Sequence, residues 1–194
     1  MQILPDDPVR RGRVKLLLLG AFFLLPMALS VIAYRFDWAP GATGNYGELI
    51  SPRVPPAVPL AAAGGGTVHM ADLRGKWVLL QFDAPACDAY CERKLYFMRQ
   101  VRRAMGRDLD RIERVWVVEG DGFPDPALLQ ASEGTRIVRA NDAAFAAAFP
   151  AAPTRSAHLY VIDPRGNLMM RYPREPDPAG IIKDLQKMLK YVGD

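Results

Sequence analysis

Two cysteines separated by three residues are the side chains whose type and spacing most directly suggest chemistry. They are Cys87 and Cys91, in the segment Cys-Asp-Ala-Tyr-Cys, and they are the 2 Cys of the chain. A thiolate is both a nucleophile and a soft metal ligand. Residues four apart in a helix have Cα atoms about 6 Å apart, a distance that a disulfide spans. The pair therefore predicts a stabilising disulfide, a redox dithiol or a Cu(I) site.

The chemistry of the pair weighs against two structural roles. A disulfide that closes so short a loop removes little entropy from the unfolded chain, so it stabilises the folded state only slightly. A structural zinc site needs four ligands, and the two cysteines with His69 and His158 form no evident set. Methionines at helical or strand spacing are typical of an apolar core rather than of copper ligation. The redox and Cu(I) interpretations both remain open.

The elements that must position the cysteines are a strand and the helix that follows it. The apolar run Trp77 to Phe82 predicts a strand buried on both faces. Apolar residues at steps of three and four predict a helix over Cys91 to Met105. The cysteines then lie at a helix N-terminus, where free N–H groups and the helix dipole stabilise a thiolate.

The rest of the domain continues this alternation of strands and helices. Strands are predicted at Val115 to Val118, Ile137 to Val138, His158 to Ile162 and Leu168 to Tyr172, and helices from Asn141 through Phe149 and over Pro178 to Tyr191. The last two strands flank a turn, Asp-Pro-Arg-Gly-Asn, that is typical of a hairpin. A β-α-β unit, a hairpin and a closing helix predict a three-layer α/β domain over residues 67–194.

A membrane anchor is predicted before this domain. Residues 16–34 are 19 residues without a charge, and a helix of that length is about as long as the bilayer core is thick. The basic flank, residues 1–15, predicts a cytoplasmic N-terminus. The domain is then exported, on the periplasmic side of a bacterial-type inner membrane. The alternative is a cleavable signal peptide, because Ala28-Leu29-Ser30 is a small-x-small pattern.

Composition and charge define the connecting segment and the partners. Residues 35–66 are rich in Pro, Gly and Ala and predict a tether between the anchor and the domain. The net charge is +4, too small an excess to predict nucleic acid as a partner. The cluster Arg99, Arg102, Arg103 and Arg107 is interpreted as the solvated side of a helix.

Several segments together resemble a known family. The run WVLLQFDAPACDAYCERKLYFMRQVRR, with LRGK before it and HLYVIDPRGNLMMRY after it, resembles the Sco/SenC family of membrane-anchored cytochrome oxidase assembly factors. The resemblance covers residues 67–192, and its most specific element is the Cys-x-x-x-Cys spacing. It implies a thioredoxin-like fold. It also implies that Cys87 and Cys91 bind copper for the oxidase's binuclear centre, or reduce that centre's cysteines, with the copper-bearing subunit or its assembly factors as partner.

The chain departs from this family at two positions. Asp88 stands where the family usually has Pro, and Arg155 stands where its copper-binding histidine is expected. His158 lies three residues later, about 10 Å along an extended strand and on the other face. It is predicted as the third copper ligand. An arginine facing the sulfurs instead favours thiolate over a bound cation.

Two further functions stay open at this point. Arg155 favours a thiol-disulfide oxidoreductase of the TlpA or ResA kind, in which case the chain is an enzyme. The other alternative is an assembly scaffold that keeps the fold without its chemistry.

Overall fold

The computed structural model describes residues 8–35, 44–140 and 142–191, in two units divided after residue 44. The first unit contains helix α1 (Pro8–Arg35), with Pro26 inside it. Its 23 residues from Arg11 to Ala33 are long and apolar enough to cross a membrane. The predicted span of residues 16–34 is thus part of a longer helix. By length and composition α1 is a candidate membrane span. Its retention as an anchor rather than cleavage as a signal peptide, and its orientation, stay predictions.

The second unit is built around a mixed sheet. The strands are β1 (Glu48–Arg53), β2 (Pro59–Ala62), β3 (Thr67–His69), β4 (Trp77–Asp83), β5 (Ile112–Val118), β6 (Arg136–Arg139), β7 (Leu159–Ile162) and β8 (Leu168–Tyr172). Their spatial order is β1-β8-β7-β4-β5-β6-β2-β3. Strands β4, β5 and β6 are parallel, and the other pairings are antiparallel. Strand β4 therefore lies at the centre, between β7 and β5.

Helices cover both faces of this sheet. They are α2 (Ala89–Ala104), α3 (Pro126–Ala131), α4 (Ala143–Ala147) and α5 (Pro178–Tyr191). Side chains alternate along β4, so Trp77 and Leu79 pack in the core that includes α2 and α5. Phe82 packs on the opposite face, where its ring lies 4.8 Å from that of Phe149. The arrangement confirms the predicted three-layer α/β domain.

The boundary between tether and domain differs from the prediction. Strands β1 and β2 fall within residues 35–66 and pair with β8 and β6. Residues 45–66 therefore belong to the second unit rather than to a free tether, and residues 36–43 lie outside the described residues. The composition misled because prolines in short strands resemble a linker. Pro52 lies in the edge strand β1 and Pro59 is the first residue of β2, two positions at which a strand tolerates proline.

Other predicted elements shift by a few residues. Helix α4 is capped by Asp142, which accepts hydrogen bonds from the amides of Ala144 and Phe145. The predicted cap, Asn141, lies outside the described residues. In the β7–β8 turn, the Asp163 carboxylate accepts from the amides of Arg165 and Asn167, as the hairpin prediction requires.

Candidate redox site

Strand β4 directs two polar side chains toward helix α2. Gln81 and Asp83 follow Leu79 at steps of two, so all three lie on the same face of the strand. Gln81 is fully buried and its Nε2 lies 3.6 Å from Sγ of Cys91. Asp83 is buried at the end of the strand and forms an ion pair with Lys94 of α2. The strand thus places an amide and a carboxylate below the cysteine segment.

The two cysteines form a disulfide at the turn between β4 and α2. Their Cα atoms are 5.1 Å apart. Cys87 precedes the helix with φ of 43°, and its amide donates to the carbonyl oxygen of Ala84 at 3.1 Å. A side chain other than glycine is strained in this left-handed region. Cys87 is 6% exposed and Cys91 0%, so a partner thiol reaches the Cys87 sulfur more easily.

Asp88 is the N-cap of helix α2. Its carboxylate accepts hydrogen bonds from the amides of Tyr90 at 3.0 Å and Cys91 at 2.9 Å. A capping carboxylate satisfies amides that a helix terminus otherwise leaves unpaired. The aspartate that replaces the proline of the resembled family therefore fixes the start of α2. It also places a negative charge between the two cysteines.

Lys94 of α2 and Asp83 at the end of β4 form a buried ion pair. The Lys94 side chain is 1% exposed and that of Asp83 is 9% exposed. Burial raises the pKa of Asp83 to about 6, although Lys94 acts in the opposite direction. Burial likewise lowers the pKa of Lys94, against the attraction of Asp83. Lys94 therefore neutralises Asp83 rather than simply adding positive charge beside the sulfurs.

Helix α2 also holds the segment that precedes β7. Lys94 Nζ donates to the carbonyl oxygen of Ser156, and the Tyr90 hydroxyl donates to that of Ala157 at 3.1 Å. Lys94 Nζ lies 4.9 Å from the centre of the Tyr90 ring. Burial raises the pKa of the Tyr90 hydroxyl, which keeps it a hydrogen-bond donor. The cysteine helix and residues 155–157 are thus tied together.

Arg155 begins that segment but forms its charged contact elsewhere. Its Nε lies 2.7 Å from Oε1 of Glu119, and its guanidinium lies over the Phe82 ring at 5.7 Å. The interactions of Arg155 in this structure are therefore with a carboxylate and a ring. Arg155 would favour the thiolate form of the cysteines only if it faced their sulfurs. Its contacts with Glu119 and Phe82 do not meet that condition.

His158 is buried, and both of its ring nitrogens face backbone oxygens. Nδ1 lies 2.8 Å from the carbonyl oxygen of Tyr172, and Nε2 lies 2.7 Å from that of Ala152. An imidazole must present a free nitrogen lone pair to bind a metal. Among the residues that the structure describes, no group of three or more His, Cys, Asp or Glu is placed to hold a metal ion. His158 as the third copper ligand stays a prediction that requires these contacts to break.

The other soft or imidazole candidates lie in structural positions. His69 precedes a short 3-10 helix, and its amide donates to the Asp72 carboxylate at 2.9 Å. Met98 and Met170 are buried in the core. This agrees with the interpretation of the methionines as core residues.

Sequence reasoning did not identify Gln81 as part of the site, nor the pairing of Asp83 with Lys94. A signal was present, since Gln81 is the one polar side chain in the otherwise apolar run Trp77 to Phe82. The partner of Asp83 depends on how α2 packs on β4, which single-sequence patterns do not give. The assembled site has a reducible sulfur pair, a buried proton-binding carboxylate and two soft donors for Cu(I) when reduced.

A family model matches more than half of the chain. The model is described as a transmembrane-like, thioredoxin-like, C-terminal domain, and it matches residues 77–192. A search of the curated proteins finds no match.

Solved structures of two functional kinds have the same fold. The thioredoxin domain of a thiol-disulfide oxidoreductase from Bacteroides vulgatus is 17% identical with a TM-score of 0.56, over 73% of this chain and 99% of that chain. Bradyrhizobium japonicum ScoI with copper bound is 19% identical with a TM-score of 0.54, over 70% of this chain and 99% of that chain. Yeast Sco1 with copper bound is 15% identical with a TM-score of 0.61, over 74% and 97%. The resemblance found in the sequence is thereby confirmed for the thioredoxin-like fold.

Proposed function

We propose a dithiol role in the assembly of a respiratory oxidase copper centre, on the premise that the chain belongs to the family of transmembrane-like, thioredoxin-like C-terminal domains. In this role the domain is a Sco-type factor, anchored by α1 and facing the periplasm. Its reduced Cys87 and Cys91 reduce a disulfide in the copper-bearing subunit or in one of its assembly factors.

One observation carries the proposal: the Cys87–Cys91 disulfide at the strand-to-helix turn, where the described residues provide no group of three or more His, Cys, Asp or Glu placed to hold a metal ion. The sulfurs are joined to each other. The Nε2 atom of the Gln81 amide lies 3.6 Å from Sγ of Cys91. This arrangement suits a pair that cycles between disulfide and dithiol more directly than a three-ligand metal site.

The exchange proceeds in two displacements. The Cys87 thiolate attacks one sulfur of the partner's disulfide, forming a mixed disulfide and releasing the partner's other sulfur as a thiolate. The Cys91 thiolate then attacks Cys87, which breaks the mixed disulfide and releases the second partner thiolate. Two electrons pass to the partner, whose thiolates take up protons. A thiol reductant must restore the Cys87–Cys91 dithiol.

The choice of Cys87 as the attacking residue rests on access. Cys87 retains some exposure whereas Cys91 has none. Cys91 lies within the first turn of α2, where it can reach the Cys87 sulfur without a change of backbone. The partner is proposed from the resemblance to the Sco/SenC family and from the apolar helix α1, which suits a membrane enzyme complex.

The proposal is tested by trapping the mixed disulfide. Cys91→Ser removes the resolving sulfur, so a covalent adduct with the copper-bearing oxidase subunit should accumulate in membranes. Cys87→Ser is the matched control and should give no adduct, although it keeps one cysteine. Adducts with many unrelated exported proteins would instead indicate a general oxidoreductase of the TlpA or ResA kind. Oxidase assembly that survives the double Cys→Ser change would indicate a scaffold.

Copper transfer is the second candidate function, because copper-bound structures share this fold. Copper would then be cargo held by the reduced sulfurs of Cys87 and Cys91, which are suitable soft donors. His158 would join them only after leaving the Tyr172 and Ala152 carbonyls.

Competition with a chromophoric Cu(I) chelator tests this second function. Tight one-to-one binding by the reduced chain, lost in Cys87→Ser and weakened in His158→Ala, would support copper carriage. Equal affinity of His158→Ala and the parent would leave a two-sulfur site and remove His158 from the ligand set. Absence of binding would remove copper carriage altogether.

A further inference from the structure

A cluster of arginines lines a cleft beside helix α2 that the redox chemistry does not use. The cleft has a volume of about 480 Å³ and lies between α2 and the segment that joins α3 to β6. Its basic lining residues are Arg99, Arg102 and Arg103 of α2 and Arg114 of β5. Glu133 is the acidic residue that lines it. The helix face interpreted as merely solvated thus forms one wall of a cationic concavity.

Arg114 is the buried member of this cluster. It is 5% exposed, and one guanidinium nitrogen donates to the carbonyl oxygen of Glu133 at 2.9 Å. Its buried Nε has no hydrogen-bond partner among the described residues. Burial, followed by the charges of Arg102 and Arg99, lowers the pKa of Arg114. A buried cation beside like charges is costly unless an anion compensates it.

The neighbouring arginines leave most of this charge uncompensated. Arg102 pairs with Asp110 at 3.3 Å, and the side chain of Asp110 is 86% exposed. For Arg99, Arg103 and Arg114, the described part of the chain provides no carboxylate within 4.0 Å. Three of the four arginines that line the cleft therefore lack a carboxylate partner among the described residues.

The turn after α3 is shaped to admit the Arg114 guanidinium. Gly134 has φ of 75°, and a Cβ atom there would come within 2.7 Å of an Arg114 terminal nitrogen. The backbone conformation therefore favours glycine here, and the absence of a side chain leaves room for the Arg114 guanidinium.

An adjoining cleft of about 250 Å³ shares Arg99 and Arg114 and is lined by the apolar side chains of Leu95, Tyr96 and Leu128. Its other lining residues include Thr135, whose buried hydroxyl has no hydrogen-bond partner in the described part of the chain. A ligand with an anionic head and a less polar remainder fits the two clefts together. Tetrahedral oxyanions suit several guanidinium groups because each accepts paired hydrogen bonds.

We propose that this arginine cleft binds the phosphate group of a phosphate ester. The ester can be the headgroup of an anionic phospholipid or a soluble phosphate compound. Both sources share the chemistry that the cleft recognises. This binding is independent of the proposed dithiol function.

The test is calorimetric titration of the full chain in a non-ionic detergent at fixed ionic strength. The probes are inorganic phosphate, dihexanoylphosphatidylglycerol and, as the zwitterionic comparison, dihexanoylphosphatidylcholine. The double variant Arg99→Gln, Arg103→Gln removes two exposed cations from the cleft and should weaken binding about tenfold or more. The matched control Arg107→Gln, Arg165→Gln removes the same charge outside the cleft and should bind like the parent.

Each outcome decides between the sources or against the site. Binding of phosphatidylglycerol but not phosphatidylcholine, lost in the cleft variant, assigns the site to a lipid headgroup. Binding of inorganic phosphate without phosphatidylglycerol assigns it to a soluble compound. No binding of either anion, or an equal loss in the cleft variant and its control, overturns the proposal. The trapping of a partner by Cys91→Ser is expected to be unchanged in the cleft variant.

Discussion

Lys94 and Asp83 depend on each other because both are buried below the disulfide. A charge removed from water is tolerated when it is paired and hydrogen-bonded, and Lys94 also reaches the Ser156 carbonyl oxygen. Removal of one partner leaves the other charge buried alone. Removal of both leaves mainly a packing defect, which costs less. The pair therefore holds residues 155–157 against α2 through Lys94.

We predict that Lys94→Met lowers the free energy of unfolding by about 3–5 kcal/mol, the cost typical of breaking a buried pair. The double variant Asp83→Asn, Lys94→Met should recover part of that loss. The control is Lys76→Met, because Lys76 is 42% exposed in its pair with Glu113, and surface pairs are worth about 1 kcal/mol or less. Denaturant unfolding measures all three. Equal costs for Lys94→Met and Lys76→Met would contradict the argument.

The raised pKa of Asp83 predicts a pH dependence of stability. Between its ordinary value of 3.8 and about 6, the folded chain retains a proton that the unfolded chain has released. The contribution of Asp83 to the free energy of unfolding is therefore at its full value below pH 4. It decreases as the pH rises to about 6 and is constant above that pH. Each unit of pKa difference is worth about 1.4 kcal/mol. Melting temperatures from pH 4 to 8 should show this fall in the parent, relative to Asp83→Asn, Lys94→Met.

Asp88 caps the N-terminus of helix α2, and this helix sets the geometry of the cysteines. Its cap accepts from the amides of Tyr90 and Cys91. We predict that Asp88→Ala costs about 1 kcal/mol of stability, as loss of a capping side chain does. Asp88→Asn keeps an acceptor oxygen, so it should cost less. It also removes a negative charge beside the sulfurs, which should speed alkylation of the reduced cysteines by iodoacetamide at fixed pH.

The two Asp88 variants separate capping from charge. If Asp88→Asn destabilises the chain as much as Asp88→Ala, the cap is not the source of the stability. If alkylation of Asp88→Asn is no faster than that of the parent, the carboxylate does not oppose thiolate formation.

Elements with strong internal periodicity were predictable from sequence, and elements defined by their neighbours were not. The apolar run of β4 and the apolar stripe of α5 (Pro178–Tyr191) are recognisable in the sequence, because their buried positions are apolar. Strands β1 and β2 carry prolines and short apolar stretches, so they become strands through pairing with β8 and β6.

For the site, the spacing of the two cysteines was enough to predict that they act as a pair. The backbone partners of His158 depend on long-range packing that no local pattern contains.

At the scale of the whole molecule, a buried carboxylate of α5 holds the first described residues of the second unit. Asp184 of α5 is 1% exposed, and it accepts from the amide of Tyr46 at 3.0 Å and that of Gly47 at 2.8 Å. The Tyr46 ring lies so close to Gly180 that a Cβ atom there would come within 2.4 Å of it, and its hydroxyl accepts from the Asp177 amide.

We predict that Asp184→Ala releases this segment, because two amides lose their acceptor. The expected loss of stability is about 2–3 kcal/mol, as for hydrogen bonds to a charged group. Chymotrypsin should then cut after Tyr46, and hydrogen exchange should quicken over residues 45–53. Lys183→Ala is the matched control, since Lys183 is the exposed neighbour on the same helix. Protection of residues 45–53 in Asp184→Ala equal to that in the control would show that β1 pairing with β8 holds the segment without the carboxylate.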